Sequence, residues 1–133
     1  RGDSKTIVST AESIVRGTTS VKMLQMLRDA GAREVHMRIA SPPTKHSCFY
    51  GVDTPERAKL LAAQMNVDQM RDYINADSLA FISIEGLYRA LGEERDNGQP
   101  QRCDACFTGD SPTSLTDVSE KERGAPLSLV ASR

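Results

Sequence analysis

The sequence predicts an α/β fold, a parallel-sheet βαβ core followed by a helical and irregular tail. Two observations carry this. Between residues 5 and 40 a strand pattern, a Gly/Ser/Thr loop, an amphipathic helix and a second strand pattern follow one another. After Gly92 the apolar periodicity ceases and the chain turns polar.

Lys5 to Val8 begins as a strand and gives way to the loop Ser13-Ile14-Val15-Arg16-Gly17-Thr18-Thr19. A helix fits Ser20 to Ala30, with Met23, Met26, Leu27 and Ala30 at the spacing of a buried face. Gly31 is a natural stop, because glycine tolerates the left-handed conformation that ends helices. Glu34 to Ala40 alternates as a strand, with Val35, Met37 and Ile39 on one side. Strands joined by a helical crossover run parallel.

Ser41-Pro42-Pro43 breaks the pattern, and a polar loop follows with Lys45, His46 and Cys48. Asp53-Thr54-Pro55 reads as a helix start, with Asp53 as the cap and proline at the first helical position. A short helix from Asn66 has Gln69 placed for a capping box and Val67, Met70 and Ile74 as its inner stripe. Ser78 to Ile82 reads as a short strand. Ser83 caps a further helix with Ile84, Leu87, Tyr88 and Leu91 on its apolar face, ended by Gly92. From about Asp110 onward a loose tail is expected.

The chain has 133 residues and a formal net charge of -1. That length suits one modest domain or part of a larger one. The charge balance leaves no general footprint for nucleic acid or an anionic membrane, so any phosphate site depends on local geometry. No apolar run is long enough to span a bilayer, and no signal peptide is recognised. The chain begins at Arg1 and almost at once enters a strand pattern, which reads as a start inside a longer protein. Arg1-Gly2-Asp3 is a tripeptide common by chance. The three cysteines, an odd count without a secretory signal, argue for a reducing, cytoplasmic setting over a disulfide framework.

Two places carry chemistry. A strand that ends in a Gly/Ser/Thr loop and enters a helix offers unpaired backbone N–H groups and a positive dipole end to an oxyanion. Gly17 permits close backbone approach, and Ser13, Thr18 and Thr19 add hydroxyl donors. An ordinary strand-to-helix turn uses the same residue types, so spacing alone leaves both readings open. The second place is Cys103-Asp104-Ala105-Cys106, whose spacing lets two thiolates reach one metal or cluster. It reads as a redox pair, half of a zinc site, part of an iron–sulfur site, or unligated thiols. Its place in a polar stretch past the last helix disfavours a thioredoxin-like pair. Zinc needs a further ligand, for which His46 is the available residue, while His36 lies within a strand pattern as a structural or half-exposed histidine.

Three stretches resemble glutamine phosphoribosylpyrophosphate amidotransferases. Ser13 to Ser20 resembles the family's phosphoribosylpyrophosphate loop. Ser41 to Thr54 and Cys103 to Gly109 are similar to signatures of the cluster-containing bacterial branch. Shorter matches at residues 31–36, 76–79 and 85–87 lie in the same order. The resemblance covers most of residues 5–115 and implies the C-terminal part of a type I phosphoribosyltransferase fold. Residues 1–92 would belong to that domain and residues 93–133 to a cysteine-containing polar tail.

The resemblance implies an amidophosphoribosyltransferase, which moves ammonia from glutamine onto phosphoribosylpyrophosphate to give 5-phosphoribosylamine and pyrophosphate in purine biosynthesis. It implies 5′-phosphate contacts from Ser13, Gly17, Thr18 and Thr19, and ribose binding by Glu12. It implies Mg2+, with Glu12 as a carboxylate for it. It implies a [4Fe–4S] cluster on Cys48, Cys103 and Cys106, with a fourth cysteine from an upstream domain. An N-terminal glutaminase domain and a homo-oligomer belong to the same expectation, with no nucleic-acid or membrane partner. The chain departs from the family at two positions: Ala11 and Glu12 stand where the family has two aspartates, and polar Ser9-Thr10 precede them. That departure supports a non-catalytic phosphoribosyl-binding module as the alternative. A zinc-binding interaction domain built on Cys48, Cys103, Cys106 and His46 is the other. No catalytic residue is assigned. Arg16, Lys45 and His46 suit an active-site edge or a solvated loop equally well.

Overall fold

The computed structural model describes residues 5–52, 54–95 and 102–113. Strand β1 spans Lys5–Ala11, helix α1 Thr18–Asp29 and strand β2 Ala32–Ile39. Helices α2 (Leu61–Gln64) and α3 (Val67–Ile74) precede strand β3 (Ser78–Phe81). Helix α4 (Ile84–Ala90) and the short α5 (Ala105–Thr108) complete the described part. The sheet order is β1-β2-β3 and both pairings are parallel. The α/β class and the parallel βαβ core are as the sequence predicts.

The two strand rows have different fates. Val35, Met37 and Ile39 point into the core, where Ile14, Leu24, Leu61, Met70, Ile74 and Leu79 join them. Helices α1 and α3 pack on this face. The intervening Glu34, His36 and Arg38 are only partly covered or exposed. His36 there is half-buried, as expected, with Nδ1 2.7 Å from the Ser78 hydroxyl. Among the described residues, no helix is long and apolar enough to cross a membrane.

Several boundaries differ from the sequence reading. Strand β1 runs on to Ala11 instead of stopping at Val8, because Ser9, Thr10 and Ala11 stay in register with Met37, Arg38 and Ile39. Partnered backbone outweighs polar side chains on a sheet edge. Helix α1 starts at Thr18, not Ser20, and its buried residues are Ser20 and Leu24. Met26, assigned to the inner stripe, is 71% exposed, while Met23 and Leu27 flank the core. The apolar stripe is real but the helix is rotated about its axis so that Leu24 is central.

The helix expected from Asp53-Thr54-Pro55 does not form there. Asp53 lies outside the described residues, and the first turn is a short 3-10 segment at Arg57–Lys59 followed by α2. Thr54 and Pro55 are otherwise engaged: the Cys48 N–H donates to Thr54 Oγ1 at 2.7 Å, and the Ser47 hydroxyl to the Pro55 carbonyl at 3.1 Å. Helix α3 has its predicted capping box, with Asn66 and Gln69 each accepting from the other's backbone N–H. Met70 and Ile74 are buried, whereas Val67 is exposed. Ser83 caps α4 by accepting from the Gly86 N–H at 2.9 Å. The α4 face is narrower than predicted: Tyr88 is buried and Leu91 is 52% exposed. Residues 114–133 of the expected loose tail lie outside the described residues.

Candidate functional site

The loop between β1 and α1 is held from below. Ile14 is buried in the core, and the Leu61 N–H donates to the Val15 carbonyl at 2.8 Å. Gly17 sits at the helix N-cap with φ 79°, a left-handed conformation that L side chains rarely adopt. A Cβ on Gly17 would lie 2.8 Å from Leu61 Cδ2 and 3.1 Å from Tyr73 Cε1. Two requirements, backbone sign and space, therefore converge on glycine here. Leu61 and Tyr73 as the backing of this loop went unread in the sequence, since they lie 44 and 56 positions downstream of Gly17 (61 − 17 and 73 − 17).

Residues Ser13 to Ser20 line a cavity of about 450 Å3. No side chain caps α1, and no acidic residue occupies its first turn. The first-turn N–H groups and the positive end of the helix dipole thus face the cavity without a protein anion. Ser13, Thr18 and Thr19 are exposed, as is Glu12 at the end of β1. The structure brings Glu12, Ser13, Gly17, Thr18 and Thr19 to one end of the parallel sheet, beyond the carboxyl end of β1. That is where open α/β sheets bind ligands. Ala11 is different: it is half-buried and packs against the core cluster. Arg16 is exposed on the cavity lining, and Lys45 is exposed in the loop that carries Cys48.

The cysteines form a second region. The N–H groups of Lys45 and His46 both donate to the Cys106 carbonyl at 3.0 Å, so the loop carrying Cys48 is joined to the Cys-x-x-Cys segment. Burial pushes the Cys48 thiol up, but the N–H groups of Tyr50, Val52 and Gly51 together outweigh it and hold Cys48 below the ordinary thiol range. Burial, then the neighbouring Cys48 and Cys103 sulfurs, push Cys106 up. Burial, followed by Arg57 and Lys45, depresses His46, whose ring lies against Gly109. Among the described residues, no three His, Cys, Asp or Glu side chains converge as around a single metal ion. The Cys48, Cys103, Cys106 and His46 arrangement for zinc is therefore not assembled.

No protein-family model matches the chain. An amidophosphoribosyltransferase from Rhizobium etli is 54% identical over 132 residues, 98% of this chain and 27% of the relative. One from Bacillus subtilis is 47% identical over 113 residues, 85% of this chain and 24% of that one. The structure superposes, with a TM-score of 0.77 and 45% identity, on the B. subtilis glutamine phosphoribosylpyrophosphate amidotransferase solved with ADP and GMP. That match covers 88% of this chain and 26% of the other. The chain is homologous to a segment of the amidophosphoribosyltransferases. A second solved structure, described as the allosteric regulatory enzyme of purine biosynthesis, gives the same TM-score over 96% of this chain. The chain spans about a quarter of the length of these relatives. Amidophosphoribosyltransferases therefore contain this βαβ core together with a larger remainder.

Proposed function

We propose that this chain is the C-terminal phosphoribosyltransferase portion of an amidophosphoribosyltransferase, and that it holds the 5′-phosphate of phosphoribosylpyrophosphate. The observation that carries the reading is the uncapped N-terminus of α1, opening into a cavity lined by Ser13 to Ser20. Gly17 brings the backbone close to the phosphate, and Ser13, Thr18 and Thr19 donate hydroxyl hydrogen bonds to it. Glu12 accepts from a ribose hydroxyl and fixes the sugar. With both ends of the ribose phosphate anchored, the anomeric carbon is presented to ammonia, which displaces pyrophosphate. The contribution of these residues is positioning, and positioning supplies a large share of such a barrier.

Glu12 is an exposed carboxylate at the strand end, and magnesium is commonly held by one or two carboxylates together with substrate phosphates. Magnesium, when bound, offsets charge on the departing pyrophosphate. Cys48, Cys103 and Cys106 supply a soft all-thiolate donor set, and the family resemblance assigns them as three of the four ligands of a [4Fe–4S] cluster, the mark of the cluster-containing bacterial branch. Such a cluster, when bound, ties the 41–52 loop to the 102–110 segment. An upstream glutaminase domain providing ammonia, a homo-oligomeric assembly and a cytoplasmic setting complete the reading.

A second reading is favoured by Ala11, which packs against the core and offers no carboxylate. On that reading the loop binds phosphoribosyl compounds without turnover. The test measures pyrophosphate release from phosphoribosylpyrophosphate by the full-length protein, with magnesium and ammonia supplied directly. Release supports the transferase. No release, restored by Ala11→Asp with Glu12→Asp, identifies a disabled transferase. No release and no restoration refutes the transferase and leaves the binding module.

A further inference from the structure

The Cys-x-x-Cys segment is fixed by more than its cysteines. Asp104, between them, is 4% exposed although it carries a carboxylate. Buried carboxylates need partners, and Asp104 has them on both oxygens. Arg95 Nε donates to Oδ2 at 2.8 Å, and the Tyr88 hydroxyl lies 3.3 Å from the same oxygen. The Thr108 hydroxyl lies 3.2 Å from Oδ1. Tyr88, itself buried on α4, also reaches the Arg102 carbonyl at 3.0 Å. Arg102 in turn pairs with Glu93 at 2.7 Å. One side of the segment is thereby bolted to α4 and the chain that follows it. The other side is bolted to the Cys48 loop through the Cys106 carbonyl, which accepts from Lys45 and His46.

We propose that Asp104, held by Arg95 and Tyr88, is a positioning residue that sets Cys106 against Cys48 before any metal or cluster is bound. The inference rests on reading Cys48, Cys103 and Cys106 as one site. Its physical content is preorganisation: a Cys-x-x-Cys segment already docked on the Cys48 loop spares a cluster the ordering of that segment. It also explains a polar network in this position. A hydrophobic contact would dock the segment, but a buried carboxylate held by the Arg95 guanidinium, with the Tyr88 and Thr108 hydroxyls shared between it and backbone carbonyls, fixes its rotation as well, and rotation decides where the Cys106 sulfur points.

The test compares the rates at which iodoacetamide alkylates Cys106 and Cys48 in the full-length apoprotein, read peptide by peptide by mass spectrometry. The variants are Asp104→Asn, which removes the charge, and Tyr88→Phe, which removes only a hydroxyl and leaves the ring in the core. Cys106 is expected to react about tenfold faster in Asp104→Asn, a hydrogen-bond-sized loosening, and a few-fold faster in Tyr88→Phe, with Cys48 unchanged. An unchanged Cys106-to-Cys48 ratio in Tyr88→Phe overturns the proposal whatever Asp104→Asn does, since Asp104→Asn also removes a charge from beside the Cys106 thiol. An equal rise at both thiols also overturns it, since that is general loosening. Anaerobic reconstitution of the wild type with iron and sulfide is scored separately. If it takes up neither, the cluster reading fails while the alkylation ratio still decides whether Asp104 positions the thiols.

Discussion

Replacing Gly17 by alanine tests the geometry of the phosphate loop most directly. At φ 79° an L residue pays a steric penalty of about 1–2 kcal/mol. The added Cβ would also stand 2.8 Å from Leu61 Cδ2 and 3.1 Å from the Tyr73 ring. Tyr73 is half exposed and can swing aside, but Leu61 is buried in the core and can retreat only by disturbing its neighbours. Overpacking of that kind adds about 1–3 kcal/mol. Gly17→Ala is therefore expected to lower unfolding stability by about 2–5 kcal/mol, with the urea m-value unchanged. The assay is urea denaturation followed by far-ultraviolet circular dichroism, beside equilibrium binding of phosphoribosylpyrophosphate. Binding should weaken at least tenfold (roughly), because displacements of about 1 Å at a positioned site have effects of that order or larger. A loss of stability below about 0.5 kcal/mol, the range of an ordinary surface change, would refute the claim that φ and Leu61 together demand glycine.

Other predictions follow from the core and its margins. Ile74→Ala empties a fully buried position between α3 and the sheet and should lower stability by about 2–5 kcal/mol in the same denaturation experiment. A loss under about 1 kcal/mol would mean the site collapses freely or is not core. Asp77 titrates low because it accepts from the Val35 N–H and pairs with Arg28. A depressed folded pKa contributes stability above the unfolded aspartate value of about 3.9, and the contribution disappears as pH falls through the lower folded value. Asp77→Asn should accordingly be less stable than wild type at pH 7, with the gap shrinking below about pH 4. A gap that stays constant through the acid range would remove Asp77 as its source.

The strand–loop–helix–strand order of residues 5–40 was readable because apolar periodicity and glycine placement are local signals. The capping box at Asn66 and Gln69 and the cap at Ser83 were readable for the same reason: each is an interaction across three residues. Helix rotation was not. Met23, Met26, Leu27 and Ala30 form an apolar stripe, yet α1 turns Leu24 into the core cluster that holds Val35 and Met37. The Asp53-Thr54-Pro55 start signal failed because Thr54 and Pro55 are recruited to hold Ser47 and Cys48. A local cap signal loses when a tertiary hydrogen bond claims its residues.

The sequence by itself determined the parallel α/β core, the composition of the loop at residues 13–19 and the three thiols, since each depends on residue type and short spacing. Tertiary structure alone decided that Leu61 and Tyr73 leave no room beside Gly17. It alone decided that Ala11 packs inward while Glu12 stays exposed, and that Asp104 is buried against Tyr88 and Arg95. The physical reason is range. Propensity and periodicity act within a few residues, whereas these contacts join positions up to 56 apart (73 − 17), and chain closure over such distances is settled only by the packing of the whole core.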